Sequence, residues 1–149
     1  MSTPYRKTAA MARVAFADML KKQKWDFFAT FTSEYKLTLP AAEKIMGQYY
    51  EALKKYDGSL FWIAEEYSDK EGFHIHALIA VPKRDKVLDL QGFQYFKNLW
   101  NNLTLGQLGN KPSRVDVQKY DMAKAAATYV TKDMESEKVE YDFLGKLTI

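Results

Sequence analysis

Apolar residues recur along this chain with two different periods, and the switches between them divide it into elements. In 8–24, TAAMARVAFADMLKKQK, the positions Met11, Val14, Ala15, Asp18 and Met19 follow helical spacing. Lys21, Lys22 and Lys24 gather at its end, where cations suit the helix dipole. WDFFATFT at 25–32 is aromatic and β-branched and predicts a strand. Phe27, Ala29 and Phe31 then share one face, with Phe28, Thr30 and Thr32 on the other. A helix is predicted over about 38–57, with Pro40 in its first turn and Gly58 as its stop. Its apolar stripe is Ala42, Ile45, Met46, Tyr49 and Leu53. Residues 59–81 read as a hairpin: SLFWIAEEY, the turn SDKEG, and the return FHIHALIAV, closed by Pro82. Helical spacing resumes over 89–103, through Leu90, Phe93, Phe96, Lys97 and Leu99 or Trp100, despite Gly92. LGQLGNKPS (105–113) reads as a loop and SRVDVQ (113–118) as a short strand. DMAKAAATYVTKDM (121–134) predicts an alanine-rich helix with Asp121 as N-cap. The last fifteen residues show no clear period and leave room for a terminal strand.

The order is a helix, then β-α-β-β-α-β, then a helix. The middle six elements predict an α+β, ferredoxin-like fold: an antiparallel sheet with helices on one face, plus an N-terminal helix and a C-terminal helix bearing Tyr129. The 149 residues suit one domain, with 1–24 as a helical extension. Ten Tyr, nine Phe and three Trp in a chain 47% apolar can fill a core. No cysteine is present, which excludes disulfides, thiolate zinc sites and thiol catalysis. No apolar run reaches the ~20 residues of a membrane helix, and no signal-peptide pattern opens the chain. A cytoplasmic protein without a membrane partner is therefore expected. The net charge of +3 adds little about partners.

Chemistry first appears at residues 72–78, GFHIHAL, which hold both histidines of the chain. Alternation places Phe73, Ile75, Ala77, Ile79 and Val81 on a wholly apolar face, so His74 and His76 share the opposite one. Imidazoles about 7 Å apart along a strand can reach one ion. A carboxylate on the preceding strand would be a third ligand, and turn parity decides which. A three-residue bulged turn, Lys70–Glu71–Gly72, pairs Asp69 with Phe73 and sets Glu66 opposite His76. A two- or four-residue turn selects Glu65 instead. The preferred ligand set is therefore His74, His76 and Glu66, with Glu65 second. Nitrogen and oxygen ligands suit Mn²⁺, Mg²⁺ or Zn²⁺, and the lack of a thiolate favours Mg²⁺ or Mn²⁺. Beside such an ion, Tyr129 is the candidate nucleophile. Lys132 lies three residues on, on the same helical face, and supplies positive charge for a phenol with an ordinary pKa near 10. Tyr120 and Tyr141 are the next candidates.

These residues together resemble the HUH endonucleases, in the single-tyrosine branch of rolling-circle replication initiators (Rep proteins). FFATFT (27–32) matches the apolar-threonine strand loosely. EEYSDKEGFHIH (65–76) matches the His-hydrophobe-His motif with its upstream glutamate, and YVTKD (129–133) matches the tyrosine helix with a lysine three on. The resemblance spans roughly 27–133. It implies a nuclease domain, expected here as a single one over 1–149. Many relatives carry a helicase domain after the nuclease, and this chain departs from them in being too short for one, so strand separation is expected from a host or partner helicase. It also implies Mn²⁺ or Mg²⁺ as cofactor and single-stranded DNA at a replication origin as substrate. Cleavage is by Tyr129, assisted by Lys132, and leaves a 5′-phosphotyrosine link and a free 3′-OH that can be rejoined. Thr30, Thr32 and Arg114 are the DNA-contacting candidates. Single-tyrosine HUH transposases are the nearest alternative; they usually carry Gln after the tyrosine and lack the upstream Glu. An RRM-like nucleic-acid-binding module shares the element order but has no need of the two histidines.

Overall fold

The computed structural model describes residues 9–33, 37–66, 73–108, 115–121, 123 and 139–145. In chain order these form α1 (Ala9–Lys22), β1 (Phe27–Phe31), α2 (Leu39–Leu53), a 3-10 turn (Lys54–Tyr56), β2 (Ser59–Glu66), β3 (Phe73–Ala80), α3 (Lys86–Leu108), β4 (Val115–Lys119) and β5 (Val139–Leu144). The strands make one sheet in the order β4-β1-β3-β2-β5, and every neighbouring pair is antiparallel. The first four strands therefore have the expected ferredoxin-like order. Strand β5 adds a fifth along β2, within the last fifteen residues that lacked a clear pattern.

One face of the sheet is apolar throughout and is covered by α2 and α3. Phe27, Ala29 and Phe31 of β1 join Phe73, Ile75, Ala77 and Ile79 of β3, all buried, as the alternation predicts. The α2 stripe Ala42, Ile45, Met46, Tyr49 and Leu53 is fully buried against them. Each large apolar side chain so buried contributes about 1.5–3 kcal/mol. Two polar groups of this layer are satisfied by carbonyls: Tyr49 Oη donates to the Phe96 carbonyl at 3.1 Å, and Trp100 Nε1 donates to the Thr32 carbonyl at 3.2 Å.

Element ends differ from expectation where side chains override period. Helix α2 starts on Thr38, whose hydroxyl accepts from the Ala41 amide at 3.3 Å. It ends earlier than expected, in the 3-10 turn, and the left-handed residue is Asp57 (φ 54°), not Gly58. Gly58 is needed for space: a Cβ there would lie 2.7 Å from Leu53 Cβ. Helix α3 is longer than predicted and takes in Leu105–Leu108, which read as loop. It bends at Gln91 (φ −128°, ψ 22°), one residue before Gly92.

The second face is also largely buried, although helices were expected on one face alone. Leu20, Trp25, Phe28, Phe61, Ile63, Leu78 and Ala80 form a second apolar cluster there. Leu20 belongs to the last turn of α1, so α1 is the lid of this cluster and lies on the opposite side of the sheet from α2 and α3. Trp25 Nε1 donates to the Met19 carbonyl, and Tyr120 Oη donates to the Leu20 carbonyl. The helix end is thus tied to the strands at two points.

Candidate metal centre

Beyond the apolar cluster, toward the N-terminal end of β3, the same face turns polar. His74 and His76 occupy it as the alternation predicts. Their rings lie edge to face with centroids 4.7 Å apart. The carboxylate beside them is Glu65, not Glu66. In the β2–β3 register Glu65 pairs with His74, and Glu66 pairs with Phe73 on the helix-covered face. Six residues, 67–72, separate that last pair. An even count reverses the parity of the three-residue turn, and so exchanges the two glutamates. Glu65 Oε1 is 3.1 Å from His74 Nε2 and 4.0 Å from His76 Nε2.

This cluster is enclosed. His76 is 3% exposed, and the side chains of His74 and Glu65 keep 16% and 14%. The Phe28 ring stacks on His76 at 6.5 Å. Burial pushes the His76 pKa well below its usual value, and the neighbouring His74 adds to the effect. A neutral imidazole with an available lone pair is the form that ligates metal. Potential ligand atoms of Glu65, His74 and His76 all lie within 4.8 Å of one another. Glu65 Oε2 is buried and has no hydrogen-bond partner among the described residues. A carboxylate oxygen left so is costly unless a cation or donor meets it. Two imidazole nitrogens, one carboxylate oxygen and an orphaned second oxygen fit a divalent ion.

The remaining predicted site residues divide. Thr30 is the cross-strand partner of His76, and its Oγ1 lies 3.4 Å from His76 Nδ1. It therefore belongs to the cluster itself, a contact that sequence period alone did not reveal. Thr32 follows β1, and its carbonyl is taken by Trp100. Arg114, Tyr129 and Lys132 lie outside the described residues. At the start of the expected tyrosine helix, Asp121 Oδ1 accepts from the Ala123 amide at 3.1 Å, consistent with the N-cap expectation. Tyr120 is committed to α1, at the end of the sheet away from the histidines. Tyr141 is on β5, on the histidine face, one strand beyond Ile63.

A hollow of about 620 Å³ also lies at the far end of the sheet, away from the histidines, with Lys24, Lys54 and Arg84 in its wall. Two of these cations are already paired. Arg84 bridges Asp26 and Asp89, and Lys54 meets Glu51. Among the described residues, no helix is long and apolar enough to cross a membrane.

No protein-family model matches the chain. No curated protein matches it either. Among solved structures it is similar to the N-terminal nuclease domain of non-structural protein-1 of minute virus of mice. The TM-score is 0.44 at 9% identity, over 91% of this chain and 79% of that one. That viral domain coordinates Zn²⁺ in its active-site pocket and recognises DNA at the origin of replication.

Proposed function

We propose that this chain is a metal-dependent endonuclease that nicks single-stranded DNA at a replication origin and joins it to Tyr129. The observation that carries the proposal is the enclosed Glu65–His74–His76 cluster on the sheet face opposite α2 and α3. Two strands of one hairpin supply all three side chains, so the ligand set is held by sheet hydrogen bonds and not by a loop. Within the resemblance to the Rep proteins, a glutamate upstream of the two histidines speaks for an initiator over a single-tyrosine transposase.

In this reading Glu65, His74 and His76 hold Mn²⁺ or Mg²⁺, which when bound supplies Lewis acidity toward a phosphoryl oxygen. The buried position of His76 excludes water from one side of the cluster. The Tyr129 phenolic oxygen bonds to phosphorus and the bond from phosphorus to the 3′ oxygen breaks. The phenolic proton passes to solvent, and the departing oxygen takes up a proton to become a free 3′-OH. One phosphodiester is exchanged for another ester, so rejoining is the same step reversed. Lys132 offers its ammonium to the charge on the phenolate and phosphate. Arg114 and Thr32 remain candidates for contact with the DNA backbone.

Calorimetric titration with Mn²⁺ tests the ligand set. The wild-type chain is expected to bind one ion. His74→Ala, His76→Ala and Glu65→Gln should each lose affinity by about 10-fold or more, while Glu66→Gln stays within about 2-fold. Circular dichroism checks that each variant is folded. Equal binding by Glu65→Gln, or loss in Glu66→Gln instead, contradicts the assignment.

A further inference from the structure

We infer that Thr30 is a positioning residue of the metal centre: its hydroxyl oxygen accepts the Nδ1 proton of His76 and so keeps the Nε2 lone pair aimed at Glu65 and His74. The inference rests on the metal-site reading above and assigns Thr30 a part beyond the DNA contact expected for it.

The geometry is set by register. Thr30 on β1 and His76 on β3 are direct cross-strand partners. They share the face that also holds Glu65 and His74. The two nitrogens of the His76 ring therefore have different neighbours. Nδ1 faces Thr30 Oγ1 at 3.4 Å, and Nε2 faces Glu65 Oε1 at 4.0 Å.

A neutral imidazole carries one proton, and the partner of one nitrogen decides the state of the other. A ring in water prefers the proton on Nε2, which is the wrong form here: it blocks the nitrogen that looks into the cluster. A hydroxyl oxygen accepting at Nδ1 favours the Nδ1–H form instead, against the pull of the Glu65 carboxylate on a proton at Nε2. The ring is also confined. His76 is 3% exposed, Phe28 stacks on it, and the His74 ring abuts it edge to face. A residue that selects the Nδ1–H form thus readies the site before any ion arrives, the usual task of a group hydrogen-bonded behind a ligating histidine. Threonine suits the place because it is a good strand residue with an oxygen on Cβ. Its own hydroxyl proton is left for another acceptor, and Asp116 is the next residue across the sheet, paired with Thr30 on β4.

The test is long-range ¹H–¹⁵N correlation of the imidazole nitrogens in the metal-free protein, with Mn²⁺ affinity measured in parallel. Wild type should show His76 protonated at Nδ1 and bare at Nε2. Thr30→Val, nearly the same shape without the oxygen, should move protonation toward Nε2 and weaken Mn²⁺ binding about 10-fold. Thr30→Ser, which restores the oxygen, should recover both readouts; a merely space-filling role would not sort the variants this way. Thr30→Ala carries the same comparison if the valine variant does not fold. An Nε2-protonated His76 in the wild type overturns the inference, as does a Thr30→Val protein with unchanged tautomer and affinity. If the wild type binds no Mn²⁺, the metal reading itself fails, and the nitrogen signals still decide whether Thr30 sets the tautomer.

Discussion

At position 142 the sheet buries an acid that has no part in the proposed chemistry. Asp142 pairs with Trp62 across β2 and β5 and is 5% exposed. Burial raises its pKa to about 6, and the hydrogen bond from the Phe143 amide offsets only part of the effect. A carboxyl whose folded pKa lies above its unfolded value stabilises the fold below about pH 4 and loses that contribution as pH rises through about 6. Asp142→Asn keeps the acceptor oxygen and removes the charge. It should be more stable than wild type by about 2 kcal/mol at pH 7.5, with the difference fading through pH 6 and gone below about pH 4. Urea denaturation at several pH values measures this, and a variant less stable at pH 7.5 would contradict it. Residue roles were legible where a period of two sufficed. His74 and His76 stood out because every neighbour on alternate positions is apolar. The choice between Glu65 and Glu66 was not legible, since it turns on the number of residues between β2 and β3, which composition does not determine. Thr30 was visible as a polar position on β1, but its contact with His76 depends on which strand lies beside β1.

At the scale of elements, the strands and α2 followed their patterns closely, because each buries one clean face. Helix α1 was readable as a helix, yet its partner was not. It packs through Leu20 on the second sheet face, and Trp25, which looked like the start of a strand, seals that cluster instead. Strand β5 was open only as a terminal strand without bounds, because a charged residue, Asp142, stands on its inward side opposite Trp62. Helix α3 raised the question of a glycine in mid-helix, which costs about 1 kcal/mol against alanine by propensity alone. Packing explains it: a Cβ on Gly92 would lie 2.8 Å from the Phe27 ring. That ring is held between Phe93 and Phe96, with centroids at 5.5 Å and 5.0 Å, and has little room to move. Gly92→Ala should therefore destabilise the protein by about 1–3 kcal/mol, in spite of the better helix former. The midpoint of guanidinium denaturation would reveal it, and an unchanged or raised midpoint would mean that Phe27 yields freely.

For the whole molecule, two halves have to meet at the proposed site. The sheet presents Glu65, His74 and His76 as one enclosed cluster, and the proposal brings Tyr129 to it as nucleophile. The joint claim is most directly tested by a covalent adduct. The chain is incubated with Mn²⁺ and a pool of single-stranded oligonucleotides labelled at the 3′ end, then run on a denaturing gel. A 5′-phosphotyrosine link leaves the labelled 3′ fragment on the protein, so the account predicts a labelled protein band with wild type. The band should be absent with EDTA, absent when the label is at the 5′ end, and absent with Tyr129→Phe, which keeps the ring and loses only the phenolic oxygen. A labelled band formed by Tyr129→Phe, or formed equally well in EDTA, would contradict the account.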